Sequence, residues 1–237
     1  MTELLYLTDS YLKEFTAQVT DVDPEQKAVV LERTAFYPGG GGQPYDTGRL
    51  ATEGDSRAVT KVKKRGGDVW HFVDGELPGT GAFVTGSLDW TRRYALMRTH
   101  TALHILCGVI WRDYGASVTG GNMEPGHARM DFEFERMQKE LVSEIEKKIN
   151  LEVQAARPIQ VAILPREEAF EIPDLIRTKI NLLPKGITEV RTVEIVGLDL
   201  QADGGTHVKN TSEVGRINIV DYKSKGRINK RLMIELE

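Results

Sequence analysis

One cysteine, Cys107, stands in a chain of 237 residues. No intramolecular disulfide can form, and a reducing, cytoplasmic setting is expected. Long apolar runs are equally scarce. Hydrophobic residues make up 40% of the chain, yet no stretch approaches the roughly 20 residues that a membrane-spanning helix needs. The opening residues Met1 to Asp9 lack a basic start followed by a sustained apolar segment. Neither a secretory signal nor a membrane partner is expected. Positive charge is not in surplus either. Lys and Arg number 31 against 35 Asp and Glu, for a formal net charge of -4, which argues against coating nucleic acid through an overall electrostatic field. With 28% charged residues the composition is that of a globular protein, long enough for one large domain or two of ordinary size.

What the chain does hold is histidine in a metal-like pattern. His100 and His104 lie in the run Arg98-Thr-His-Thr-Ala-Leu-His-Ile-Leu106. On a helix, side chains at i and i+4 project from one face, so both imidazoles can reach one ion. His207 closes the segment Asp203-Gly-Gly-Thr-His207 much later in the chain. Three such ligands make an open site of the kind that activates water, with Asp203 as a fourth ligand or as an acceptor that orients an imidazole. Metallopeptidases use His-x3-His with a glutamate directly after the first histidine. Thr101 occupies that position here, so the peptidase reading fits poorly. Cys107, one turn beyond His104, is a further conceivable ligand, although a small buried hydrophobe is the plainer account.

From Phe15 to Trp90 the chain reads as short strands, 15–22, 27–31, 57–63, 68–73 and 83–88, separated by Gly, Pro and Asp. That pattern predicts a small antiparallel barrel. Asp89 then caps a long helix running from near Thr91 to Tyr114, with Leu96, Leu103, Leu106, Val109 and Ile110 at helical spacing. A turn at Gly120-Gly-Asn122 follows, then a strand at 128–134, an amphipathic helix at 138–153, a strand at 159–164, a short helix at 166–170 and strands at 190–195, 216–222 and 231–236. The expected fold class is α+β: a barrel domain, residues 1–90, followed by a mixed α/β domain, residues 91–237. Two basic clusters could touch phosphates. One is Lys61-Val-Lys-Lys-Arg65, and the other holds Lys223, Lys225, Arg227, Lys230 and Arg231. The glycine run Gly39-Gly-Gly-Gly42 costs backbone entropy to order. It is a flexible hairpin loop unless a ligand or another backbone comes close.

Four segments in order carry a family resemblance over nearly the whole chain: Phe36-Tyr-Pro-Gly-Gly-Gly-Gly-Gln-Pro44, Asp89-Trp-x-Arg-Arg93, Met97 to Leu106, and Gly204-Gly-Thr-His-Val-Lys-Asn-Thr-Ser-Glu-Val-Gly215. They resemble the free-standing alanyl-tRNA editing proteins of AlaX type, medium form, which are similar to the editing domain of alanyl-tRNA synthetase. The resemblance implies one Zn2+ per chain, held by His100, His104 and His207. Many relatives carry cysteine where this chain has Asp203, which would exchange a nitrogen and sulfur donor set for harder nitrogen and oxygen donors.

The resemblance also implies a hydrolase that deacylates mischarged tRNA(Ala), with Ser-tRNA(Ala) ahead of Gly-tRNA(Ala). Expected substrate contacts are Gly39, Gly40, Gly41 and Gly42, the glycine loop approaching the catalytic pocket or serving as a mobile lid, together with Gln43, Asn122 and Thr206. Lys225, Arg227, Lys230 and Arg231 are expected against the tRNA. No stable protein partner is expected. The alternatives are a non-catalytic tRNA-binding module with a structural metal, and a metal-dependent hydrolase of a small acylated molecule.

Overall fold

The computed structural model describes residues 1–135, 137–177 and 186–237. The chain divides into two compact units, Met1–Ala95 and Leu96–Glu237. None of the described helices is long and apolar enough to cross a membrane.

The first unit contains β1 (Glu3–Leu4), β2 (Glu14–Asp23), β3 (Ala28–Leu31), β4 (Arg33–Thr34), β5 (Gly48–Thr52), β6 (Asp55–Arg65), β7 (Asp68–Val73) and β8 (Phe83–Leu88). Six of these strands close a barrel in the order β2-β3-β7-β6-β5-β8. Closure depends on the two longest strands changing partner midway. β2 pairs with β8 through its first half and with β3 through its second, and its register shifts between Val19 and Asp21. β6 pairs with β5 and then β7, with a shift between Val59 and Lys61. An extra residue in one strand bends it and sharpens its twist, which is how a flat ribbon turns a corner. The shift in β6 also explains why its buried valines, Val59 and Val62, are three residues apart rather than two. Phe15, Ala17, Val19, Leu31, Leu50, Val69 and Val84 fill the interior. The five strands read from alternation are all present. β5 was not foreseen, because Gly48-Arg-Leu-Ala-Thr52 buries only Leu50 fully.

The glycine run is an ordered turn. Gly40 N donates to Gln43 O at 3.0 Å and Gln43 N to Gly40 O at 2.9 Å, which leaves Gly41 and Gly42 as a two-residue hairpin tip. Their φ angles are +57° and +89°, and those of Gly39 and Gly40 are +83° and +146°. Positive φ at both central residues is the requirement of a type I′ turn, and side chains would strain all four positions.

The Asp89-Trp-x-Arg-Arg93 segment accounts for itself structurally. Asp89 Oδ1 accepts from Arg92 N at 3.1 Å, the expected helix cap. Arg93 is fully buried and forms a bidentate ion pair with Asp46, which in turn accepts from Tyr37 N at 2.7 Å. Arg93 thereby ties the first turn of the helix to the two ends of the glycine turn.

α1 (Trp90–Tyr114) leads into the second unit, the division between units falling within it. After it come β9 (Val118–Glu124), β10 (His127–Glu133), α2 (Lys139–Gln154), β11 (Ile159–Pro165), α3 (Arg166–Glu171), β12 (Glu189–Ile195), β13 (Asp199–Ala202), β14 (Ile217–Ser224) and β15 (Asn229–Leu236). The fold is α+β, with an antiparallel sheet in the order β14-β15-β10-β9 and another in the order β11-β12-β13. The turn expected at Gly120-Gly-Asn122 is instead part of edge strand β9, with Asn122 opposite Arg129. Glycine permits a bend and a strand alike, and here Gly120 and Gly121 pair with Asp131 and Met130 of β10. Edge strand β14 is covered by α2. Asn150 donates to Ile217 O and accepts from Ile217 N, at 2.8 and 3.0 Å, and Glu146 accepts from Ile219 N at 2.7 Å. Pairing those edge groups removes a template for unwanted strand addition.

Candidate metal centre

From Thr99 to Ile110 every side chain of α1 is buried, so this helix is packed on all sides rather than on one stripe. His100 and His104 lie within that stretch at 5% and 6% exposure. The chain after β13 supplies Asp203 and His207 from a short turn, in which Asp203 Oδ2 accepts from Gly205 N at 2.8 Å. Close approach of α1 to the start of β13, which brings Asp199 to His104, depends on Gly108, one turn past His104. A Cβ there would lie 2.9 Å from Leu198 Cγ and 3.0 Å from Asp199 Cβ.

One ligand atom from each of His100, His104, Asp203 and His207 falls within 4.8 Å of the others. His207 Nε2 is 2.9 Å from Asp203 Oδ2, and His100 Nε2 is 3.6 Å from Asp203 Oδ1. Two of the imidazoles are oriented through their other nitrogen. His104 Nδ1 is 3.1 Å from Asp199 Oδ2, and His207 Nδ1 is 3.1 Å from Thr101 Oγ1. A carboxylate partner fixes the tautomer and ring direction of a metal-binding histidine, as Asp199 does for His104, whereas the Thr101 hydroxyl orients the His207 ring and is compatible with either tautomer. Asp199 is itself buried at 3% and accepts from Gln201 Nε2 at 2.6 Å and from Arg177 Nε at 3.4 Å. Arg177 rests on the Trp111 ring, 4.7 Å from its centroid. Arg191 Nη1 donates to Asp203 O at 2.8 Å.

Burial shapes the protonation of this cluster. It pushes His100 well below the ordinary histidine range, although the charge of Asp203 opposes it. It lowers His207 to about 4 against the hydrogen bond with Asp203. For His104 burial also acts downward, but the hydrogen bond and charge of Asp199 outweigh it and its pKa is raised. Burial would raise Asp203, yet its coupling to His100 and the hydrogen bond with His207 hold its carboxyl well below the usual range. His100 and His207 held neutral beside an ionised Asp203, with His104 turned toward them, gather nitrogen and oxygen donors of the kind that suit zinc in one small group.

The other expected site residues are placed as follows. Thr206 is fully buried beside His207. Gln43 is 2% exposed and, with Gly39 to Gly42, belongs to the first unit. Asn122 is exposed on β9. Lys225 and Arg227 are exposed between β14 and β15. Lys230 and Arg231, expected against RNA, are engaged internally. Lys230 Nζ donates to Gly226 O and Arg227 O, both at 2.9 Å, and Arg231 grips Asp131 with two bonds of 2.7 Å. Cys107 lies outside the four-residue cluster, its Sγ 3.4 Å from Gln201 Nε2, and burial raises its pKa well above the ordinary thiol value.

Asp199 and Arg177 were not foreseen. Asp199 stands four residues before Asp203, but nothing in that spacing ties it to His104. Thr101 was read only as the residue that replaces a peptidase glutamate.

The barrel segment and the segment that carries Asp203 and His207 each match a tRNA synthetase family. Residues 5–92 match the family of class II (A) tRNA synthetases, and residues 190–233 match the second additional domain of threonyl and alanyl tRNA synthetases. Full-length similarity is narrower. The chain is 43% identical over 238 residues to the alanyl-tRNA editing protein AlaX-M of Saccharolobus solfataricus, covering 98% of each chain. It is 41% identical over 242 residues to that of Methanosarcina barkeri, covering 100% of this chain and 99% of the relative. The chain belongs to the AlaX-M family of alanyl-tRNA editing proteins. It is also 41% identical over 225 residues to the alanine–tRNA ligase of Pyrobaculum aerophilum, which takes in 92% of this chain and 25% of the ligase.

Proposed function

We propose that the chain is a trans-editing hydrolase that deacylates mischarged tRNA(Ala), serine ahead of glycine, by cleaving the ester to the terminal ribose. The observation that carries this reading is the convergence of His100, His104, Asp203 and His207 in a member of an alanyl-tRNA editing family. Those four residues would hold one Zn2+. When bound, zinc supplies Lewis-acid polarisation of the ester carbonyl or a water of lowered pKa.

The chain's own residues supply orientation. Asp199 holds His104 with its Nδ1 proton outward, which leaves Nε2 for the centre. When His207 Nδ1 donates to Thr101 Oγ1, His207 Nε2 presents its lone pair; when the hydroxyl donates instead, Nε2 carries the proton and donates to Asp203. Thr206 supports a hydroxyl-sensing role by its burial next to His207. A pocket that hydrogen-bonds the serine hydroxyl discriminates strongly against an alanyl group that lacks it. Lys225 and Arg227 remain the tRNA contacts of the C-terminal unit, the assignment of Gly39 to Gly42 to substrate rests on the family resemblance, and Gln43 is a candidate partner of the serine hydroxyl.

Deacylation of Ser-, Gly- and Ala-tRNA(Ala), with chelator and zinc add-back, tests the reading. Serine is expected to be lost fastest, alanine to be spared, chelator to stop the reaction and zinc to restore it. Undiminished deacylation by metal-free protein would sink the mechanism. A second reading, a non-catalytic tRNA-binding module, draws support from Asp203, because four protein donors can close a tetrahedral shell. Tight binding of charged tRNA with the ester left intact would favour it.

A further inference from the structure

We propose that the outer face of the β6–β7 ribbon of the barrel is a second RNA contact, which grips the phosphate backbone of tRNA. The inference rests on the reading of tRNA as substrate and adds a surface which that reading does not use.

Along the ribbon Val62 and His71 face each other and are buried at 1% and 0%. The flanking pairs Lys61 with Phe72 and Lys63 with Trp70 therefore point outward. Lys61, Lys63 and Lys64 are exposed, and Arg65 is half-buried. The two aromatic rings form a floor under the cations. Lys61 Nζ lies 5.5 Å from the Phe72 centroid, and the Arg65 guanidinium lies 5.4 Å from Phe72 and 6.0 Å from Trp70. Gln26 Oε1 accepts from Arg65 Nη2 at 2.6 Å and helps to fix it. Among the described residues, no carboxylate forms an ion pair with Lys61, Lys63 or Lys64. In a chain of net charge -4, that leaves a local concentration of positive charge that no such ion pair neutralises.

Alternate strand residues stand about 7 Å apart, a step similar to that between successive phosphates of an RNA strand. Cations held over aromatic faces are partly desolvated and preorganised, which favours anion contact. The arrangement fits RNA better than a lipid surface. A membrane-binding face puts its apolar side chains outermost, whereas here Trp70 and Phe72 lie half-buried beneath the cations. Because the rings are covered, the contact reads phosphate and not base sequence.

The test is binding of uncharged tRNA(Ala) by fluorescence anisotropy across a salt series, with wild type, Lys61→Ala/Lys63→Ala and Lys61→Arg/Lys63→Arg. The alanine pair is expected to raise Kd about tenfold and to make the slope of log K against log salt shallower by about two. It should raise KM for Ser-tRNA(Ala) in parallel at unchanged kcat, and the arginine pair should behave as wild type. An unchanged Kd and slope would overturn the proposal. So would weaker binding accompanied by a loss of kcat and of thermal stability, or a patch that retains anionic vesicles or a second copy of the chain but not tRNA. Wild-type protein that neither binds tRNA nor deacylates it would instead fail the functional reading itself. Normal wild-type deacylation with an indifferent alanine pair would remove this surface alone.

Discussion

His71 and three of the four histidines of the second unit, His100, His104 and His207, are buried to a similar degree, yet they face their surroundings in different ways. His71 is 0% exposed in the barrel core, and burial lowers its pKa to about 4. Both of its ring nitrogens are engaged locally, Nε2 with Thr34 Oγ1 at 2.8 Å and Nδ1 with Val29 O at 3.3 Å, while Phe36 packs edge-on at 5.5 Å. His207 is equally buried and its pKa is likewise lowered to about 4. Its Nδ1 meets Thr101 while its Nε2 turns toward Asp203 and two further imidazoles. Burial and lowered basicity therefore do not mark a site. What marks it is convergence of second nitrogens on one point, with the first nitrogens held by the protein.

Replacing one member of each group is the sharpest way to break this comparison. His104→Ala is expected to slow Ser-tRNA(Ala) deacylation by more than about 100-fold, beyond the range typical of outer partners of a metal ligand. His71→Leu should leave kcat of the folded protein near wild type. A similar loss of kcat in both variants, measured by single-turnover deacylation, would erase the distinction.

The next effect is on stability against pH. His71 is neutral in the folded protein and takes up a proton more readily unfolded, so its contribution is fully present above about pH 6.5. It is lost as pH falls toward 4, by about 3 kcal/mol over that interval. Urea titrations at a series of pH values should show this slope, flattened in His71→Leu. That variant also costs about 1–3 kcal/mol at neutral pH, because Thr34 Oγ1 and Val29 O each lose one hydrogen-bond partner.

Asp199→Asn is expected to weaken zinc affinity about 10- to 100-fold, measured by competition with a chromophoric chelator, and to regain most activity in excess zinc. Unchanged affinity would mean that Asp199 only fills space. Smallest of all, Thr101→Val removes the hydroxyl between His207 Nδ1 and Val208 N, which lie 3.1 and 3.3 Å from it. It should cost about 1–2 kcal/mol of stability and a few-fold in zinc affinity, less than Asp199→Asn.

Much of the fold was legible. β7 and β8 were read with their observed bounds, and α1 was placed to within a residue, because strand alternation and helical spacing are local consequences of which side chains can be buried. β5 and β13 escaped, being short and half-exposed. Gly120 and Gly121 read as a turn, since glycine permits bends and strands alike. The basic residues show the same limit. Nothing in the run from Lys223 to Arg231 separates Lys225, which stays exposed, from Arg231, which grips Asp131 across the sheet.

By itself the sequence determined the donor types of the candidate site and the pairing of His100 with His104, because four residues along a helix return a side chain to the same face. It also marked Gly39 to Gly42 as a hairpin loop, while the structure alone showed that loop to be an ordered turn with positive φ at all four positions. Only the tertiary structure decided that Asp203 and His207 join that helix face, and that Asp199 stands behind His104. Those meetings depend on packing between segments remote in sequence, down to the missing Cβ of Gly108, and periodicity reports the face a residue takes but not what that face will meet.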